Sequence, residues 1–65
     1  MTTYGELFDT FVGLLRSDRK EAQRWLLRET QKNPHTPSNM NYFAGYCDTE
    51  TTREVRDALQ EFGAR

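Results

Sequence analysis

Sixty-five residues with a single cysteine and a formal net charge of −1 exclude several kinds of protein at once. A chain this short holds one domain, residues 1–65, and buries only about 60% of its unfolded surface, so its core is small. The lone Cys47 excludes an internal disulfide and suits a reducing cytosol, while the near-neutral charge speaks against a general nucleic-acid coat.

No apolar run approaches the roughly 18–20 residues that a membrane helix needs. The first residues lack the basic start and apolar stretch of a secretory signal, so no membrane contact is expected and the location is read as cytoplasmic. Ordering each residue costs about 1.5 kcal/mol. Nearly every large apolar side chain, including the eight aromatics, must therefore contribute to the core, and oligomerisation is a natural supplement.

The pattern predicts a first helix over about 4–16. Thr3 and Glu6 form a capping-box pair at its start. Tyr4, Leu7, Phe8, Phe11, Val12, Leu14 and Leu15 then follow the i, i+3, i+4 rule. At 100° per residue they span an arc of about 160°, wider than the roughly 100° stripe of a surface helix. Such a helix is central to its domain, or it buries a second side in an oligomer.

A second helix is predicted over 19–31, with Asp18 and Glu21 repeating the capping pattern directly after the first helix ends. So short a joint implies an αα-hairpin. Ala22, Trp25 and Leu26 make its inner face, and Glu29 near the middle of that face implies that the helix leaves the core before its last turn. Lys20, Arg24 and Arg28 recur every four residues and stack along one side as a basic row. Leu27 points away from the core beside them.

Residues 32–39 form a proline-containing loop, because Asn33-Pro34 and Thr36-Pro37 oppose continued helix. Thr36-Pro37 also reads as a start signal for a short helix over about 37–47. That helix would turn Met40, Phe43, Ala44 and Cys47 inward and place Tyr42 and Tyr46 together outside, with Gly45 weakening it by about 1 kcal/mol relative to alanine. The last helix, 49–62, is capped by Asp48 or Thr49. It carries Val55, Ala58, Leu59 and Phe62 on its apolar stripe and is stopped by Gly63. The expected fold is all-α, a small compact helical bundle of three longer helices and a short one.

Glu50, Glu54, Asp57 and Glu61 form an acidic ridge on the last helix. Like charges at this spacing repel by about 0.2–0.5 kcal/mol per pair, and Glu61 sits in the final turn, where the helix dipole disfavours it. Arg53 can pair with Glu50 and Asp57, but Glu54 and Glu61 have no evident partner in their own helix. Three readings follow: a solvated face, a match with the basic row within the chain or across a dimer, or a surface for a basic partner. Tyr42 and Tyr46 are either cover for the core edge or a binding anchor, since tyrosine offers large contact area at low entropy cost.

Residues 38–62 also allow a helix-turn-helix, with Arg53 and Arg56 as DNA contacts. Asp48 stands where that motif favours glycine, Val55 lies one residue late, and four carboxylates on the reading helix would repel phosphate. Enzyme chemistry has little support. His35 and Cys47 are the only residues of their types, a zinc site needs further ligands, and a thiol buried among apolar groups is inert. No cofactor or metal motif is present.

The expected function is a small non-enzymatic cytosolic module that binds and modulates a larger macromolecular partner, with inhibition as one form. Binding would use Glu50, Glu54, Asp57, Glu61, Lys20, Arg24, Arg28, Leu27, Tyr42 and Tyr46. A protein partner is favoured over nucleic acid. The alternatives are a helix-turn-helix DNA-binding regulator and a structural subunit, including a homo-oligomer, completed through the first helix.

Overall fold

Each helix begins where a short polar side chain accepts a free amide, or where proline removes one. The computed structural model describes residues 3–63; residues 1, 2, 64 and 65 of the expected domain lie outside the described residues. Four helices run in the order α1 (Tyr4–Ser17), α2 (Arg19–Lys32), α3 (Thr36–Ala44) and α4 (Thr49–Glu61), and no strand occurs among the described residues. The fold is therefore the expected small all-α bundle.

Thr3 Oγ1 accepts the Glu6 amide at 3.2 Å, and its hydroxyl lies 3.4 Å from the Glu6 carboxylate. Asp18 serves two helices. Its amide donates to the Leu14 carbonyl at 2.7 Å and closes α1, while its carboxylate accepts the Glu21 amide at 3.3 Å and opens α2. One residue thus makes the whole hairpin joint, with extended backbone at φ −154° and ψ 96°. Gly63 follows α4 in the left-handed region at φ +77°, a conformation glycine adopts without a Cβ penalty.

Three expectations need correction. The proline-containing loop is not residues 32–39 but residues 33–35, since Lys32 still belongs to α2 and Thr36 already begins α3. The third helix does not run to residue 47; it ends at Ala44. Gly45, Tyr46 and Cys47 donate to the carbonyls of Tyr42, Phe43 and Ala44, three residues back, at 3.1, 3.0 and 3.2 Å. These are tight-turn bonds rather than the four-residue bonds of an α-helix. Cys47 is consequently half-buried rather than enclosed.

The end of α2 is not left to solvent either. Its apolar contribution does stop at Leu26, but α3 folds back over the last turn. Thr36, with Pro37 buried beside it, sends its hydroxyl to the Glu29 carbonyl at 3.3 Å. The other helix ends agree to within a residue, the ordinary scatter of helix boundaries.

The core takes Phe8, Phe11 and Leu15 from α1, Ala22 and Leu26 from α2, Met40 and Ala44 from α3, and Val55, Ala58 and Leu59 from α4. Helix α1 packs against all three others. Its wide stripe is used within the chain, with Leu7, Val12 and Leu14 half-buried along its edges. Phe11 is the hub: its ring stacks on Trp25 at 5.7 Å and meets the edge of Phe62 at 6.4 Å.

The start of α4 is pH-sensitive. Asp48 Oδ1 accepts the Thr51 amide at 3.0 Å. Hydrogen bonds from the Thr51 side chain and backbone, with a smaller contribution from the Arg16 charge, hold the Asp48 carboxyl below its ordinary range. A lowered folded-state pKa means stabilisation that is present above the unfolded pKa and lost as pH falls through the folded value. Asp48→Ala is therefore expected to lower Tm at neutral pH, with the gap to wild type closing as pH falls through the usual aspartate range and below. Melting curves recorded across that interval check it; a gap that stays constant in acid would show that the carboxylate charge contributes nothing to the cap.

Candidate functional site

The two charged rows do not meet. Glu54 Oε1 accepts from Arg16 Nε at 3.3 Å, and Arg16 Nη2 also donates to the Thr51 hydroxyl at 3.1 Å. Glu61 Oε2 accepts from Arg19 Nε at 2.9 Å, and the Arg19 guanidinium lies 5.4 Å from the centre of the Phe62 ring. Arg16 and Arg19 sit on either side of the Asp18 joint, and Glu54 and Glu61 are two helical turns apart on α4. Half of the acidic ridge therefore clasps the α1–α2 turn. The pairing removes the conflict between Glu61 and the α4 dipole and places Arg16 favourably at the C-terminal end of α1.

The basic row stands elsewhere. Lys20, Arg24 and Arg28 are exposed on α2, and Arg24 pairs with Glu21 of its own helix at 2.8 Å. Among the described residues, Lys20 and Arg28 have no carboxylate within 4.0 Å, and neither do Arg53 and Arg56. The expected Arg53 pairs with Glu50 and Asp57 are thus absent among the described residues, and both carboxylates face solvent without an ion pair. Arg56 instead donates from Nε to Asn41 Oδ1 of α3 at 3.1 Å.

The tyrosines do come together. Tyr42 and Tyr46 are 61% and 75% exposed, with ring centroids 5.2 Å apart and hydroxyl oxygens 3.0 Å apart. The hydrogen bond to Tyr42 raises the Tyr46 pKa above the ordinary tyrosine range, so the Tyr46 phenol is neutral at physiological pH. Tyr42 also meets Phe43 edge-on at 5.8 Å, and Phe43 packs 6.0 Å from Phe8. The exposed pair is thereby backed by the core. Leu27 projects from α2 with 55% of its surface exposed.

His35 precedes α3, where its amide donates to Asn33 Oδ1 at 3.0 Å. The Cys47 thiol lies 3.6 Å from the Phe43 carbonyl. Among the described residues, no three His, Cys, Asp or Glu side chains gather closely enough to hold a metal ion, and no helix is long and apolar enough to cross a membrane.

Arg16 and Arg19 are the participants that periodicity does not reveal, because each is a single charge outside any row. Their sequence signal is position: they flank the residue that caps two helices, so any helix laid across that joint meets both. No family model, curated protein or solved structure matches this chain.

Proposed function

We propose that this chain is a small non-enzymatic protein-interaction module of the cytosol, binding and modulating a larger protein through Tyr42 and Tyr46. The observation that carries the reading is two contacting aromatic rings left largely exposed while backed by Phe43 and the core. A domain this small ordinarily recruits such area inward. Tyrosine anchors of this kind concentrate binding energy, because a rigid ring gives up little entropy on contact. Glu50 and Asp57, unpaired among the described residues, supply the charged part of the surface, whereas Glu54 and Glu61 are engaged by Arg16 and Arg19. The free thiol of Cys47 fits a reducing compartment.

The test starts with wild-type protein as bait in its native host, identifies the retained protein by mass spectrometry, and then titrates that protein directly. Tyr42→Ala with Tyr46→Ala is expected to weaken binding by about thirtyfold or more, the effect of losing a hot spot of about 2 kcal/mol. Melting should stay within a few degrees of wild type, since both rings lie outside the core. Unchanged affinity in a folded double variant rejects the tyrosine surface.

A second reading is a DNA-binding helix-turn-helix formed by α3 and α4. One observation favours it. Glu54 and Glu61 lie toward α1 and α2 in ion pairs, which leaves Arg53 and Arg56 free of acidic partners among the described residues on the flank beside α3. Electrophoretic mobility shift at low and high salt, with Arg53→Ala and Arg56→Ala, separates the two. Salt-sensitive DNA binding that needs the arginines and ignores the tyrosines would replace the protein-binding reading.

A further inference from the structure

Two depressions on the face formed by α2, α3 and α4 share Pro37 and Gly63 as lining residues and so form one trough. One end, about 200 Å³, is walled by Leu27, Pro34 and Phe62. The other, about 770 Å³, is lined by Asn41, Arg56 and Gln60. Neither Tyr42 nor Tyr46 lines it, so the trough is separate from the surface proposed above.

The two ends differ in chemistry. At the first, the exposed Leu27 and half-buried Phe62 offer apolar area, and the Thr30 hydroxyl that also borders it already donates to the Leu26 carbonyl at 2.7 Å. A volume of about 200 Å³ is below the roughly 300–1,000 Å³ of a small-molecule pocket; it suits one large side chain. At the second end, Asn41 holds Arg56 by Nε at 3.1 Å. The guanidinium is thereby oriented, its terminal nitrogens are left for another acceptor, and no carboxylate approaches within 4.0 Å among the described residues. A planar fork of this kind prefers a carboxylate, which it can take with two hydrogen bonds.

We infer that the trough binds a peptide segment of a partner protein that carries a large aliphatic side chain and, a few residues away, a carboxylate. The aliphatic group enters between Leu27, Pro34 and Phe62, and the carboxylate meets Arg56. Charge complementarity selects the occupant: among the described residues Arg56 is the cation that lines the trough, and a neutral or basic peptide leaves it without its acceptor.

The probes are capped peptides holding one Leu and one Glu separated by one to four residues, each with a Glu-to-Gln and a Leu-to-Ala counterpart. They are titrated into the isotopically labelled full chain and followed by amide NMR shifts. At peptide concentrations up to about 1 mM, where weak contacts of about 4 kcal/mol register, at least one spacing should shift Leu27, Thr30, Asn41, Arg56, Gln60 and Phe62 together. Arg56→Gln should weaken the Glu peptide about tenfold and leave its Gln counterpart unchanged, while Leu27→Ser should weaken both. Both residues are exposed, so the variants remain folded, which their amide spectra verify. No shift with any spacing overturns the inference, and so does an Arg56→Gln effect equal for Glu and Gln peptides. The same amides shifting with protein concentration alone would assign the trough to a second copy of this chain and also overturn it.

Discussion

Phe11→Ala is expected to destabilise the fold by about 3–5 kcal/mol, the usual cost of emptying a site that held a buried phenylalanine. A 65-residue domain at about 0.05–0.15 kcal/mol per residue has only about 3–10 kcal/mol in all, so the variant should be partly or wholly unfolded at room temperature. Phe11 has no exposed surface, and its ring touches one aromatic from α2 and another beyond the end of α4. Leu59→Ala should cost about 2–5 kcal/mol by the same mechanism, while Leu27→Ala, outside the core, should stay within about 0.5 kcal/mol of wild type. Urea unfolding followed by fluorescence reads this directly, since Trp25 is the only tryptophan and stacks on Phe11 at 5.7 Å. A Phe11→Ala midpoint equal to that of the parent would mean that the assigned interior is wrong.

What could be read beforehand was local, and what could not was tertiary. Thr3, Asp18 and Asp48 announce helix starts because the amides they satisfy lie three residues away in the same segment. Phe8, Phe11 and Leu15 announce a buried face because their spacing matches the helical repeat. The end of α3 was harder. Gly45 lowers helix propensity by an amount that good packing often overrides, and here the bonds of residues 45–47 to carbonyls three back decide the matter. The adjacency of Tyr42 and Tyr46 was legible because i and i+4 remain neighbours even as the second residue leaves the helix for a turn. The partners of Glu54 and Glu61 were not. Periodicity says that an acidic edge exists, but which helix lies against it depends on how the hairpin packs, and the equally periodic basic row of Lys20, Arg24 and Arg28 pointed to the wrong side of α2. The trough was likewise hidden, since Pro37, Phe62 and Arg56 come from separate segments and become neighbours only in the folded chain.

Reversing Glu54 and Glu61 to lysine should lower stability by about 1–2 kcal/mol, or about 4–16 °C in Tm for a domain of this size. Each lost pair is solvent-facing, with Arg16 and Arg19 side chains 55% and 44% exposed, so each contributes no more than about 1 kcal/mol. The new lysines add repulsion against both arginines. Because these charges are screened, the loss should shrink as salt rises. Adding Arg16→Glu and Arg19→Glu should restore most of the lost Tm by recreating the pairs with opposite polarity, although Glu at position 16 then meets the α1 dipole unfavourably and keeps the rescue incomplete. Reversing Lys20, Arg24 and Arg28 instead should restore nothing, because that row faces away from α4. Rescue by the row and not by Arg16 and Arg19 would contradict the clasp. An unchanged Tm accompanied by loss of the protein partner would return Glu54 and Glu61 to the binding surface, with the tyrosines as neighbours rather than sole anchors. The charge swap therefore separates a carboxylate that holds the bundle together from one that meets a partner, a distinction that helical spacing leaves open.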